Sequence, residues 1–90
     1  MKMIIVIVKD NESDALTRAL TSADYRVTTI ASTGGFLRSG VVTLLIGVDE
    51  SRLDSAIALV RETLVSSGPG ESKEKRATLF VVPVARFEQI

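Results

Sequence analysis

The feature that most constrains this chain is a set of strand-like runs in which apolar side chains occupy consecutive positions. These runs are Met3–Val8, Val41–Val48 and Ala77–Val84. A strand with one face in water alternates apolar and polar residues, whereas a strand buried on both faces is apolar throughout. The three runs therefore predict a sheet that is covered on both faces.

Two segments between the strands carry apolar residues at helical spacing and predict amphipathic helices. The first helix is expected to start at Asn11, with Asp14 three residues later, and the second has Asp49 or Ser51 available as its cap. The residues with this spacing are Ala15, Leu16, Ala19, Leu20 and Ala23 in the first segment and Leu53, Ala56, Ile57, Val60 and Leu64 in the second.

A further strand is predicted at Arg26–Thr33, which is rich in Val, Thr and Ile. The order β-α-β-β-α-β is that of the ferredoxin-like α+β sandwich. Ser66–Arg76 predicts a mobile surface loop, because too little chain follows it to form a second domain. Pro83 indicates that the last strand ends there or lies at an edge. Residues 1–90 are thus expected to form one domain.

In this fold both helices cover the same face of the sheet, so the other face is open in an isolated chain. An open face built from the second apolar set would exceed the roughly 300–600 Å² patch that is typical of monomers. At about 25 cal/mol per Å², burying that surface is a large term beside the net stability of a small domain. We therefore expect the open face to pack against other copies of the chain.

The composition excludes several classes of function. The chain has no cysteine and no histidine, which removes disulfides, thiolate metal sites, Cys nucleophiles and Ser–His relays. Its 11 basic and 11 acidic residues give no net charge, so nothing favours nucleic acid or an anionic membrane as a partner. Asp10 and Asp49 adjoin predicted helix starts, where capping explains them. We expect a binding module without enzymatic activity, metal or cofactor.

No segment predicts membrane insertion or export. The apolar run Met3–Val8 is far shorter than the roughly 20 residues of a transmembrane helix. Lys9–Glu12 follows it where a signal peptide would have a small-residue cleavage site. A cytoplasmic location is therefore expected.

Ser32–Gly40 is the segment best suited to hold a ligand. Its glycines allow backbone N–H groups to approach an anion, Phe36 offers a ring for stacking, and Arg38 or Arg26 could pair with phosphate. The alternative is that Gly34-Gly35 forms a type I′ hairpin turn, with Phe36 and Leu37 packing across the strands. The segment has neither P-loop nor Rossmann glycine spacing.

Six segments of the chain resemble the PII-like cyclic di-AMP receptor family. They are Met1–Val8, Tyr25–Thr28, Thr33–Gly40, Gly47-Val48, Phe80–Val84 and Phe87–Ile90. The most specific is Thr-Gly-Gly-Phe-Leu-Arg at 33–38, in register with the first strand. The resemblance implies a cytoplasmic homotrimer of ferredoxin-like subunits that binds cyclic di-AMP in clefts between neighbours and signals to another protein.

The resemblance also implies which residues contact the ligand. The matching positions are Arg26, Thr28, Gly35, Phe36, Leu37, Phe80 and Gln89. In this interpretation Arg26 offsets phosphate charge, Thr28 and backbone N–H groups bind adenine edges or phosphates, and Phe36 and Phe80 form apolar or stacking walls. The structural alternatives place Phe80 in the core, Arg26 at a solvated strand end and Gln89 in a frayed terminus.

Three features depart from the family pattern. Val41 stands where the family has an asparagine, Asp24 replaces a neutral asparagine, and Ser66–Arg76 is shorter than the family's loop. Two further hypotheses therefore remain open. One is a diverged PII-like trimer that binds another adenine nucleotide or a small anion, and the other is an interaction domain without a small-molecule site.

Overall fold

The computed structural model describes residues 1–31, 40–66 and 77–90, and it confirms the predicted α+β element order. The predicted glycine turn and residues 67–76 of the predicted loop lie outside the described residues. The elements are strand β1 (Lys2–Lys9), helix α1 (Asp10–Ser22), strand β2 (Arg26–Ala31), strand β3 (Val41–Val48), a 3₁₀ turn (Glu50–Arg52), helix α2 (Leu53–Ser66) and strand β4 (Ala77–Pro83).

The four described strands form one antiparallel sheet in the order β2-β3-β1-β4. This is the ferredoxin-like arrangement predicted from the sequence. The central strands are β3 and β1, and the edge strands are β2 and β4. Pro83 is the last residue of an edge strand, where the lack of a backbone N–H is tolerated.

The core lies between the helices and one face of the sheet. Alternate residues of β1 and β3 point into it, and Ile4, Val6, Leu44 and Ile46 are fully buried there. The predicted helical faces supply the other side of the core. Their buried members are Leu16 and Leu20 of α1 and Ala56, Val60 and Leu64 of α2.

The opposite face of the sheet, here called the open face, is formed by the remaining alternate residues of the four strands. No described helix covers it, and Met3, Ile5 and Ile7 are only half-buried. The open face consists of Arg26, Thr28 and Ile30 of β2, Val41, Thr43, Leu45 and Gly47 of β3, Met3, Ile5, Ile7 and Lys9 of β1, and Thr78, Phe80 and Val82 of β4.

The helix starts differ from the sequence prediction. Helix α1 begins at Asp10, one residue before Asn11, and its N-cap is Lys9, which makes no side-chain cap hydrogen bond. The backbone N–H of Asp10 instead donates to the carbonyl of Gly40, so a tertiary contact satisfies this free donor. Asp49 likewise precedes the 3₁₀ turn without capping it through its side chain.

Helix α1 ends in a left-handed turn that the sequence did not signal. Asp24 has φ +72°, a conformation that glycine usually supplies. The N–H of Asp24 donates to the carbonyl of Thr21 at 3.0 Å, and that of Tyr25 donates to Leu20 at 2.9 Å. These two bonds form a Schellman motif that turns the chain directly into β2.

Replacing Asp24 with glycine should raise the free energy of unfolding by about 0.5–1 kcal/mol, because glycine adopts positive φ without steric cost. Ala23→Gly is the matched control, since Ala23 has φ −91° and gains nothing from glycine. Urea denaturation of both variants tests this. A loss of stability in Asp24→Gly as large as that in Ala23→Gly would contradict it.

Candidate functional site

Two predicted ligand contacts, Arg26 and Thr28, lie on the open face of the edge strand β2. They share this face because alternate residues of a strand point the same way. Arg26 pairs with Gly47 and Thr28 pairs with Leu45 on β3. Both side chains are exposed, so each is accessible to a ligand in the isolated chain.

Phe80 lies on the open face as well, but on β4, the opposite edge strand. It pairs with Ile5 and is 52% exposed, so it does not belong to the core of the chain. One row across the sheet therefore runs Thr28, Leu45, Ile5, Phe80. Three strand spacings separate its ends, about 14 Å. The fold places Thr28 and Phe80 on one face without bringing them together.

Four predicted ligand contacts remain, and none of them lies on a described strand. Gln89 is the one of them that lies among the described residues, and it is exposed in the irregular segment 84–90 after β4. This segment starts with a hydrogen bond from the N–H of Val84 to the carbonyl of Met1 at 3.0 Å, and it holds an ion pair between Arg86 and Glu88. Gly35, Phe36 and Leu37 lie outside the described residues.

The two single-residue departures from the family pattern are both near β2 and β3. Asp24 is exposed in the turn that precedes Arg26. Val41 is the first residue of β3, on the open face, and pairs with Lys9.

Gly47 is a further candidate for the site, which the sequence did not single out as a ligand contact. It lies between Arg26 and Met3 in the neighbouring row of the open face. A Cβ atom built on Gly47 would meet nothing within 4 Å, and its φ is not positive, so neither packing nor conformation within the chain requires glycine. Glycine within a strand often marks close approach of a ligand or another backbone. A lone glycine in an apolar strand was the available signal.

The described residues contain neither a metal-binding cluster nor a membrane-spanning helix. Among them, no group of three or more His, Cys, Asp or Glu side chains could hold a metal ion. Neither α1 nor α2, the α-helices described, has the length and apolar character needed to cross a membrane.

Comparison with known proteins places the chain in a family. A family model described as "Cyclic-di-AMP receptor" matches residues 1–68. The chain belongs to this cyclic-di-AMP receptor family, and the resemblance seen in its sequence is confirmed. The matched range includes Arg26, Thr28 and Gly47, whereas Phe80 and Gln89 lie beyond it.

A solved structure supports the fold over the whole chain. It is described as the crystal structure of a functionally unknown protein from Pediococcus pentosaceus. The two sequences are 31% identical, and the match covers 99% of this chain and 96% of that chain with a TM-score of 0.75. The similarity therefore extends through β4 and the segment that follows it.

Gly47→Ala should leave the free energy of unfolding unchanged or raise it by up to about 1 kcal/mol, since glycine in a strand interior is itself unfavourable. Gly40→Ala is the control. Gly40 has φ +89°, where any side chain is strained, so this substitution should lower the free energy of unfolding. Urea denaturation measures both changes. Equal destabilisation by the two substitutions would show that the fold itself requires Gly47.

Proposed function

We propose that this protein is a signal-transduction protein that binds cyclic di-AMP between the subunits of a homotrimer. The family assignment supports the nucleotide. The observation that carries the intersubunit site is the separation of its groups, because Arg26 and Thr28 lie at one edge of the open face and Phe80 at the other.

The surface between those groups does not suit a nucleotide. Leu45 and Ile5 separate Thr28 from Phe80, and a phosphodiester placed over them would lose its hydration without gaining hydrogen bonds. A neighbouring protein chain is the better cover for these apolar side chains. If the β2 edge of one subunit meets the β4 edge of the next, the polar and aromatic groups converge at the same cleft.

Such an edge-to-edge contact uses two different surfaces, so it is heterologous. Heterologous contacts give closed rings when the rotation between copies permits and filaments when it does not. A ring of three copies satisfies every β2 and β4 edge and faces each apolar sheet toward the others. The ring creates three equivalent clefts.

The chemistry of the cleft matches a cyclic adenine dinucleotide. Arg26 would pair with a phosphodiester, and the Thr28 hydroxyl would donate to a phosphate or accept from an adenine amino group. Phe80 would stack on an adenine, a contact worth about 1–3 kcal/mol. Gly47 beside Arg26 leaves room for the ligand to reach the backbone of β3. Gly35, Phe36, Leu37 and Gln89 complete the proposed set of contacts.

The proposed role is that of a cytoplasmic receptor without catalytic activity that passes the signal to a downstream protein. The zero net charge argues against nucleic acid or a membrane surface as that target. The chain has no cysteine to act as a nucleophile and no histidine, the commonest general base.

Ile5→Lys should convert the trimer to monomers while the chain stays folded, because Ile5 lies in the middle of the open face and not in the core. Burying an ammonium group in the interface is costly. Ala58→Lys adds the same charge to an exposed position of α2 and should leave the trimer intact. Sedimentation velocity distinguishes the species. A monomeric wild-type protein at micromolar concentration would defeat the assembly.

Mixing two inactive variants tests where the site lies. Arg26→Ala and Phe80→Ala should each lose most binding of cyclic di-AMP in calorimetric titrations, whereas the wild type binds one nucleotide per chain. When equal amounts of the variants are unfolded and refolded together, about one cleft in four should receive intact Arg26 from one subunit and intact Phe80 from its neighbour. Binding should return to that fraction of the sites.

The control for this experiment is the double variant with both substitutions, mixed with itself, which contains no intact cleft. Binding that never returns in the mixture, while both variants remain trimeric, would show that Arg26 and Phe80 of a site come from the same chain and would contradict the intersubunit arrangement. ATP and AMP titrations test the hypothesis of another adenine nucleotide, and saturable binding of one of these without cyclic di-AMP binding would replace the proposed ligand.

A further inference from the structure

Arg52 connects two turns that lie at the same end of the sheet. It is the last residue of the 3₁₀ turn after β3, and its backbone N–H donates to the carbonyl of Asp49 at 2.9 Å. Its guanidinium reaches the turn between α1 and β2, where Nη2 donates to the carbonyl of Ala23 at 2.9 Å and Nη1 to that of Asp24 at 3.4 Å.

The same guanidinium stacks on an aromatic ring. Its central carbon lies 4.0 Å from the centroid of Tyr25, and Tyr25 is only 6% exposed. A planar guanidinium can donate hydrogen bonds at its edge while its face contacts a ring, which a lysine ammonium cannot do in the same way. Since core packing holds the ring, the ring in turn fixes the plane of the guanidinium.

The turn that Arg52 holds is one that needs support. Asp24 adopts a left-handed conformation that is unfavourable for a residue with a side chain. The carbonyls at the C-terminal end of α1 also carry the negative end of the helix dipole, which a cation stabilises. Arg52 thus stabilises both the conformation and the charge at this point of the chain.

The supported turn leads directly into the candidate site. Arg26 follows Tyr25 in the sequence and pairs with Gly47, which lies two residues before Asp49. The turn before β2 and the turn after β3 therefore both adjoin the Arg26–Gly47 pair, and Arg52 connects these two turns. A change in either turn would shift Arg26 relative to β3.

We propose that Arg52 is a positioning residue for the nucleotide site, which sets the affinity for cyclic di-AMP by holding Arg26 beside Gly47 without contacting the ligand. This inference rests on the proposed function for its ligand. It adds a residue 26 positions along the chain from Arg26 to the determinants of binding.

A double-mutant cycle tests the coupling. Calorimetry with cyclic di-AMP compares the wild type, Arg52→Gln, Arg26→Gln and the double variant. Arg52→Gln alone should weaken binding by about fivefold to tenfold, but by less than about twofold when Arg26 is already glutamine, because the two substitutions remove the same contribution. Arg61→Gln on the exposed side of α2 is the matched control and should leave the affinity unchanged. An equal loss in both backgrounds would overturn the proposal.

A ligand-free measurement separates this inference from the proposed function. In ¹⁵N–¹H spectra, Arg52→Gln should shift the amide signals of Arg26 and Gly47, and Arg61→Gln should not. If the wild type binds no cyclic di-AMP, the proposed function fails, and these shifts alone decide whether Arg52 positions Arg26. Unshifted signals would overturn the positioning role. If Arg52→Gln does not fold, Arg52→Lys takes its place in both experiments, with smaller changes in the same direction.

Discussion

The structure depends on one constraint: β1, β3 and β4 carry apolar residues on both faces of the sheet, but the described helices cover only one of those faces. Ile4 and Ile5 show the consequence, since Ile4 is fully buried beneath the helices and its neighbour Ile5 remains half-buried on the open face. Apolar surface therefore remains accessible to water after the chain has folded, and burying it would be favourable. The proposed association of copies and the proposed ligand cleft both rest on this surplus of apolar surface.

The two edge strands present different groups, so the proposed association would join unlike edges. Strand β2 presents Arg26 and Thr28 on the open face, whereas β4 presents Phe80 and Val82 and ends at Pro83. Edges that differ in this way are poorly suited to pair with copies of themselves, and charge and proline both discourage unspecific strand addition. In the proposed ring, a polar edge meets an aromatic edge, and the two together would provide both halves of the nucleotide site.

Much of the fold could be predicted from residue periodicity, because a period of two fixes which face each strand residue occupies. The same rule placed Arg26, Thr28 and Phe80 on strands, but the edge that each occupies follows from strand order, which pairing over long sequence separations decides. Local capping signals failed at Asn11, where a backbone bond from Asp10 to Gly40 supplies what a side chain was expected to supply. The glycine turn of the site lies outside the described residues and stays a prediction.

The left-handed turn at Asp24 and the side chain that supports it could not be predicted from the sequence. Aspartate gives only a weak signal for positive φ, and the residue that supports this conformation, Arg52, is 28 positions away.

The net charge of the chain bears on how a ligand would be bound. A chain without net charge produces little long-range attraction for a polyanion, so the affinity of the proposed site would come from short contacts with a small ligand. Hydrogen bonds and stacking are sensitive to displacements well below the length of a side chain. In the proposed site, the placement of Arg26 by a remote guanidinium would therefore matter more than in a site that relies on many cations.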